Sequence, residues 1–185
     1  MTAPVPLRLS QLLDADWRRL EQFSGRTPRP RRFTDGFSPR FASVCLIRIA
    51  QRLDARGWRR LARLFALWNF VIFGIEVPAG LDIGPGLVIP HTHGTVIGAG
   101  YIGANVTIYQ QVTLGAKLAD FEFDRAKRPH VEDGVIITSG AKVLGPVRLG
   151  AGAVIGANAV VLADVPAGAV AVGVPARILE RNPAP

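Results

Sequence analysis

Residues 131–161 read VEDGVIITSGAKVLGPVRLGAGAVIGANAVV, and an apolar residue returns at every sixth position: Val131, Ile137, Val143, Leu149, Ile155 and Val161. A second apolar track runs four residues behind the first through Val135, Ala141, Val147, Ala153, Ala159 and Val165. A period of six matches neither the helical period of 3.6 nor the strand period of two. It is the pattern of a parallel β-helix, in which short strands stack coil on coil. The repeated apolar residue points inward and small residues turn the corners, where glycine tolerates positive φ. Upstream the same rhythm runs through Val77, Ile83, Ile89, Val96, Ile102, Ile108 and Leu114, with Leu81, Leu87, Val106 and Val112 on the second track. One step in it is irregular. Within IPHTHGTVIG (residues 89–98) the interval from Ile89 to Val96 is seven, and His91 and His93 stand at the interruption. From Ala116 to His130 (AKLADFEFDRAKRPH) the rhythm stops while charge and aromatics persist, which predicts a loop projecting from one corner. Gly98, Gly100 and Gly103 spell GxGxxG, but inside coils, with no strand-to-helix transition to make them a dinucleotide site.

The stretches GIEVPAGLDIGPG, PHTHGTVIG, QQVTLGA, SGAKVLGPVRLGAGAVIGANAVV and VGVPARI resemble the hexapeptide acyltransferases, and within them the serine O-acetyltransferases and their polysaccharide-modifying relatives. The resemblance covers residues 75–178. It implies an all-β architecture with N-terminal helices: a left-handed parallel β-helix with a helical cap and a projecting loop. It also implies a homotrimer with active sites between subunits, and acetyl-CoA as the co-substrate of transfer to an acceptor hydroxyl. Such a reaction needs a base for the hydroxyl proton, and imidazole titrates in the suitable range. By chemistry either histidine qualifies. Anchoring the family's turn on Gly94 assigns the base to His91 and puts His93 beside the acceptor. The family's acidic partner falls fifteen residues earlier, on Glu76, where the relatives carry Asp; Asp82 is the competitor by chemistry alone. By the same resemblance Gly115, Ser139, Gly140 and Ala157 hold the pantetheine arm, and Arg177 lies near the nucleotide phosphates. The family's loop reaches over a neighbour's active site, so Lys127 and Arg128 are implied acceptor contacts. Pro90 stands where serine acetyltransferases have Asp, which brings in the alternative of a polysaccharide or glycan-precursor O-acetyltransferase. A non-catalytic hexapeptide scaffold is the alternative outside enzymes.

The expected organisation is a helical cap and linker over 1–74, the β-helix over 75–179 and a tail over 180–185. Residues 1–75 hold 14 Arg against 5 acids, while residues 76–185 hold 8 basic residues against 9 acids, so the net charge of +8 is entirely N-terminal. These arginines lack the glycine-aromatic or helix-turn-helix setting of nucleic-acid binders, and no nucleic-acid partner is expected. They suit a solvated cap and trimer contact or, alternatively, peripheral contact with an anionic membrane. Helices are predicted over Leu9–Phe23 (with Ser10 as N-cap), Pro39–Leu53 and Trp58–Phe73, packing as a cap over the first coil's open strand edge. The longest apolar run, Leu64–Ile75, falls short of the roughly 20 residues that span a bilayer. One cysteine, Cys45, no recognisable leader and no Cys/His cluster for a metal lead to the expectation of a cytoplasmic, metal-free protein.

Overall fold

A computed structural model describes residues 7–120 and 122–179, so the expected tail over 180–185 lies outside the described residues. Three helices come first: α1 (Leu9–Phe23), α2 (Ala42–Asp54) and α3 (Arg59–Phe73). Thirteen short strands follow, from β1 (Ile75–Glu76) to β13 (Arg177–Leu179). They form three sheets whose neighbours are parallel everywhere except at the last pair. One sheet stacks β1, β2 (Thr95–Ile97), β5 (Thr113–Gly115), β8 (Lys142–Leu144) and β11 (Val160–Val161). The second stacks β4 (Thr107–Ile108), β7 (Ile136–Ile137), β10 (Val154–Ile155), β12 (Val170–Val172) and β13, and the third β3 (Tyr101–Ile102), β6 (His130–Val131) and β9 (Arg148–Leu149). Each of the middle coils contributes one strand to each sheet in turn, and the first and last coils join through single bridges (Ile83 to Ile102, Val88 to Thr107, Val165 to Leu149). The architecture is therefore a parallel β-helix with N-terminal helices.

Register follows the sequence period. Val131 pairs with Leu149 and Ile137 with Ile155, steps of 18 residues, or three hexapeptides per coil. Both apolar tracks from Val131 to Val165 are buried and form one continuous core. The insertion lengthens one coil, since Ile102 pairs with Val131, a step of 29. Val172 then turns back through Gly173–Ala176, and β13 runs antiparallel to β12. The sequence closes its last coil by a reversal rather than by another strand in register.

The irregular step is larger than the sequence spacing suggests. Ile97, not Val96, is fully buried and pairs with Leu114; Val96 is only half-buried. The inward positions are therefore Ile89, Ile97 and Ile102, with intervals of eight and five. The turn through His91–Gly94 takes up two extra residues, and Gly94 (φ +73) returns the chain to the strand. Val96 and Ile97 are both apolar, so the period alone could not choose between them.

The cap forms where the helical spacing put it, with one change at its start. Leu9 opens α1 and Arg8 is the N-cap, so Ser10 lies inside the helix; Gln11 Oε1 accepts from the Arg8 backbone N–H at 2.8 Å. Asp16 on α1 and Arg48 on α2 form a fully buried ion pair directly over the first coil. Arg48 donates to the carbonyls of Ile83 (2.7 Å) and Gly84 (2.6 Å), while Asp16 accepts from the N–H groups of Gly86 and Leu87, each at 2.8 Å. Gln51 adds a bond to the Leu81 carbonyl at 2.6 Å. The pair thus satisfies the backbone groups that an end coil would otherwise bury unpaired. Trp17, Leu20, Phe41, Val44 and Ile47 complete the seal by joining the coil core.

Candidate active site

Successive coils stack their turns along one corner, between the sheet of β4 and β7 and the sheet of β2 and β5. Backbone bonds mark the line: Gly94 N to Gly74 O (2.9 Å), Gln111 N to His93 O (3.2 Å), Gly140 N to Gln110 O (3.0 Å) and Asn158 N to Ser139 O (2.9 Å). His91 and His93 therefore stand one coil above Gln110, two above Ser139 and Gly140, and three above Ala157. At the foot of the same corner Val160 N bonds Gly173 O (3.0 Å), in the reversal that leads to the exposed Arg177. Gly140 (φ +74) is required here twice over, because a Cβ would also lie 2.0 Å from Asn158 Oδ1. Gly115 lies on the next corner, at the far end of β5, where a Cβ would meet nothing within 4 Å.

The head of this corner opens into a cavity of about 570 Å³. His91, Thr92 and His93 line it from the turn, Gln110 from the coil below, Ile72 and Phe73 from the end of α3, and Pro39 and Arg40 from the segment before α2. Both imidazoles are exposed. Arg40 forms no ion pair among the described residues, and Gln110 Oε1 is buried without a hydrogen-bond partner there. A buried acceptor left unpaired is costly, which makes Gln110 a ready partner for a donor entering the cavity. No carboxylate among the described residues lines the space. Its chemistry is two proton-accepting rings, one cation, one amide and an apolar wall.

The carboxylates considered from sequence stand outside it. Glu76 is exposed on β1, beside Val96, and makes no side-chain hydrogen bond to His91. Asp82 belongs to another face, where neighbouring Ile83 bridges to Ile102. The loop cations are also elsewhere within one chain. Arg128 donates to Asp120 (Nε to Oδ2, 3.0 Å) and to the Gly98 carbonyl (3.0 Å), and its guanidinium lies 3.8 Å from the centre of the Phe123 ring. Arg125 bonds the Gly80 carbonyl at 2.8 Å, so the insertion is pinned back along the coils rather than standing clear of them. Lys127 pairs with Asp124 at 3.4 Å and is mostly exposed. No group of His, Cys, Asp and Glu among the described residues could hold a metal ion.

Arg40 and Gln110 were not singled out from sequence. Gln110 had a signal, since adding one coil to the histidine turn leads to it. Arg40 had none, because it comes from a stretch without periodicity and is brought in by the packing of α2.

This coil architecture and corner site define a class. Residues 128–163 match the model of the bacterial transferase hexapeptide (six repeats). The serine acetyltransferase of Helicobacter pylori strain J99 is 39% identical over 145 residues, which cover 78% of this chain and 83% of that protein. The serine acetyltransferase of Mycobacterium tuberculosis is 43% identical over 140 residues, covering 75% and 60% respectively. Among solved structures, a serine acetyltransferase in complex with CoA superposes with a TM-score of 0.77 at 31% identity, covering 91% of this chain and 68% of that one. The soybean serine acetyltransferase apoenzyme gives 0.80 at 31%, covering 92% and 69%. The chain belongs to the serine acetyltransferase family of hexapeptide-repeat transferases. It spans about three fifths of the length of the M. tuberculosis and Bacillus subtilis relatives.

Proposed function

We propose that this protein transfers an acetyl group from acetyl-CoA to an acceptor hydroxyl, with His91 as general base. The observation that carries this reading is the pair of imidazoles in a cavity at the head of a corner of small-residue turns, in a chain of this family. The acceptor oxygen attacks the thioester carbonyl as His91 takes its proton; collapse of the tetrahedral intermediate breaks the C–S bond, and the imidazolium returns the proton to the departing thiolate. Glu76 is the candidate to orient His91, by rotation of its exposed side chain. Ser139, Gly140 and Ala157 follow the corner downward as the pantetheine contacts, Arg177 meets the nucleotide phosphates as a guanidinium suits, and Gly115 on the next corner contacts the donor from a neighbouring subunit. His93 is the acceptor contact within the chain; Lys127 and Arg128 are contributed by a neighbour's loop. This division of labour requires a homotrimer of left-handed coils, with residues 1–74 as cap, 75–179 as the transferase domain and the cytoplasm as its place. Light scattering giving the mass of three chains is the expected result.

Serine is the acceptor that the relatives' names suggest. A second reading, acetylation of a polysaccharide or glycan precursor, is favoured by the cavity itself: it holds Arg40 and an apolar wall but no carboxylate for an amino group, and Pro90 precedes His91. Release of thiol from acetyl-CoA, followed with serine, homoserine and a panel of sugars, separates the two. Serine-dependent release supports the first and sugar-dependent release the second. No release with any hydroxyl acceptor would remove both.

A further inference from the structure

Helix α3 carries a face that none of the described residues covers. Only Ala62 and Asn69 are buried, the latter accepting from Ser43 Oγ of α2 at 2.8 Å. Around the rest of the cylinder Leu64, Leu67, Trp68, Phe70, Val71 and Ile72 are exposed, with Val71 at 71% and Ile72 at 60%. A helix apolar on nearly all sides is normally buried, and a contiguous patch of this kind marks an interaction surface. The charges are segregated along the helix: Arg59, Arg60 and Arg63 occupy its first turns, Arg56 precedes it, and α3 has no acid. None of these four arginines forms an ion pair among the described residues.

We propose that this face docks on an anionic bilayer surface, with the second half of α3 sunk to the level of the acyl boundary and the arginines at the lipid headgroups. The chemistry selects this occupant. A second α3 packed on this one would bring the same unpaired arginines and no acid to meet them, whereas anionic lipid neutralises every one. Trp58 (62% exposed) and Trp68 (45% exposed) add indole rings, which favour the membrane interface. No helix of the described residues is long and apolar enough to cross a membrane, so α3 lies along the surface. Ile72 belongs both to this face and to the wall of the His91 cavity, so docking places the cavity mouth beside the lipid. The proposal stands on the helix alone and holds whatever reaction the cavity performs.

The test is flotation of the full chain with vesicles of phosphatidylcholine alone and of phosphatidylcholine and phosphatidylglycerol in equal parts. The protein is expected to float with the mixed vesicles and not with the neutral ones, and added salt is expected to release it, as headgroup charge is screened. Neutralising Arg60 and Arg63 together (Arg60→Gln, Arg63→Gln) should weaken partitioning roughly five-fold per charge. The pair Leu67→Gln, Val71→Gln, outside the cavity wall, should abolish it while leaving the circular dichroism melt and the acetyltransfer rate unchanged. Sedimentation velocity without lipid should give wild type and that variant the same mass. Wild-type protein that fails to float, floating unaffected by either pair of substitutions, or a smaller assembly for the Leu67/Val71 variant would each overturn the proposal. The last would assign the face to a second copy.

Discussion

The cap and the coils are held by different kinds of interaction. From Val131 to Val165 each coil repeats the last, its apolar tracks are fully buried, and its backbone groups pair with the coils above and below. The cap has no repeat, and the polar contacts of its junction with the first coil centre on one ion pair, Asp16–Arg48, with no exposure on either side chain. Repetition spreads stability over many equivalent contacts, whereas most polar bonds of the junction depend on a single desolvated pair, set among the apolar contacts of Trp17, Leu20, Phe41, Val44 and Ile47. The coils should therefore yield gradually to substitution, and the cap at one point.

Removing one partner of the pair is the severest way to break this contrast. Arg48→Ala leaves Asp16 buried without a counter-charge and should cost about 3–5 kcal/mol in chemical denaturation. The double change Asp16→Leu, Arg48→Met sharpens the test. It removes both charges but also the partners of four backbone groups, so it should recover only part of that loss. Within the coils Ile137→Ala should cost about 2–5 kcal/mol, the usual penalty for a cavity in a close-packed core.

A smaller effect separates two glycines of the coils that share a backbone conformation. Gly152 (φ +69) has nothing within 4 Å of a built Cβ, and Gly152→Ala should cost only the left-handed penalty of about 1–2 kcal/mol. Gly140→Ala meets Asn158 as well and should cost more, with the excess relieved by Asn158→Gly. The smallest effect is chemical. Burial pushes the Cys45 thiol up to about 11, so at pH 8 iodoacetamide should label the folded protein slowly and the denatured protein fast.

The coils were legible because their rule is local: every sixth residue faces in, and small residues turn. The rule failed where two apolar residues adjoin, and Ile97 rather than Val96 stacks on Leu114 because the histidine turn consumes two residues more than a regular corner. The helices of the cap were legible from their spacing, but their seat on the first coil was not. Neither Asp16 nor Arg48 differs in sequence from the many surface charges around it, and only packing makes them a pair. The site divides along the same line. His91, His93, Ser139, Gly140 and Ala157 share one corner, and steps of eighteen link His93 to Gln111 and Ser139 to Ala157. The insertion makes the coil between them longer, and in the sequence only the family resemblance joined the two ends. Arg40 enters from the unpatterned segment, and Glu76 stays out of the cavity. The exposed face of α3 had a sequence trace in its apolar run, interrupted only by Asn69, although nothing in that run said which side would be left uncovered.

The most direct measurement is the rate of thiol release from acetyl-CoA, with the acceptor that the panel identifies, for wild type, His91→Ala and His93→Ala. With His91 as general base, His91→Ala should lower turnover by roughly 10²–10⁴ while leaving the denaturation midpoint in place. His93→Ala should act mainly on the acceptor's KM. Turnover that survives the loss of His91 but collapses with His93 would contradict the assignment of the base, and turnover indifferent to both would contradict the site.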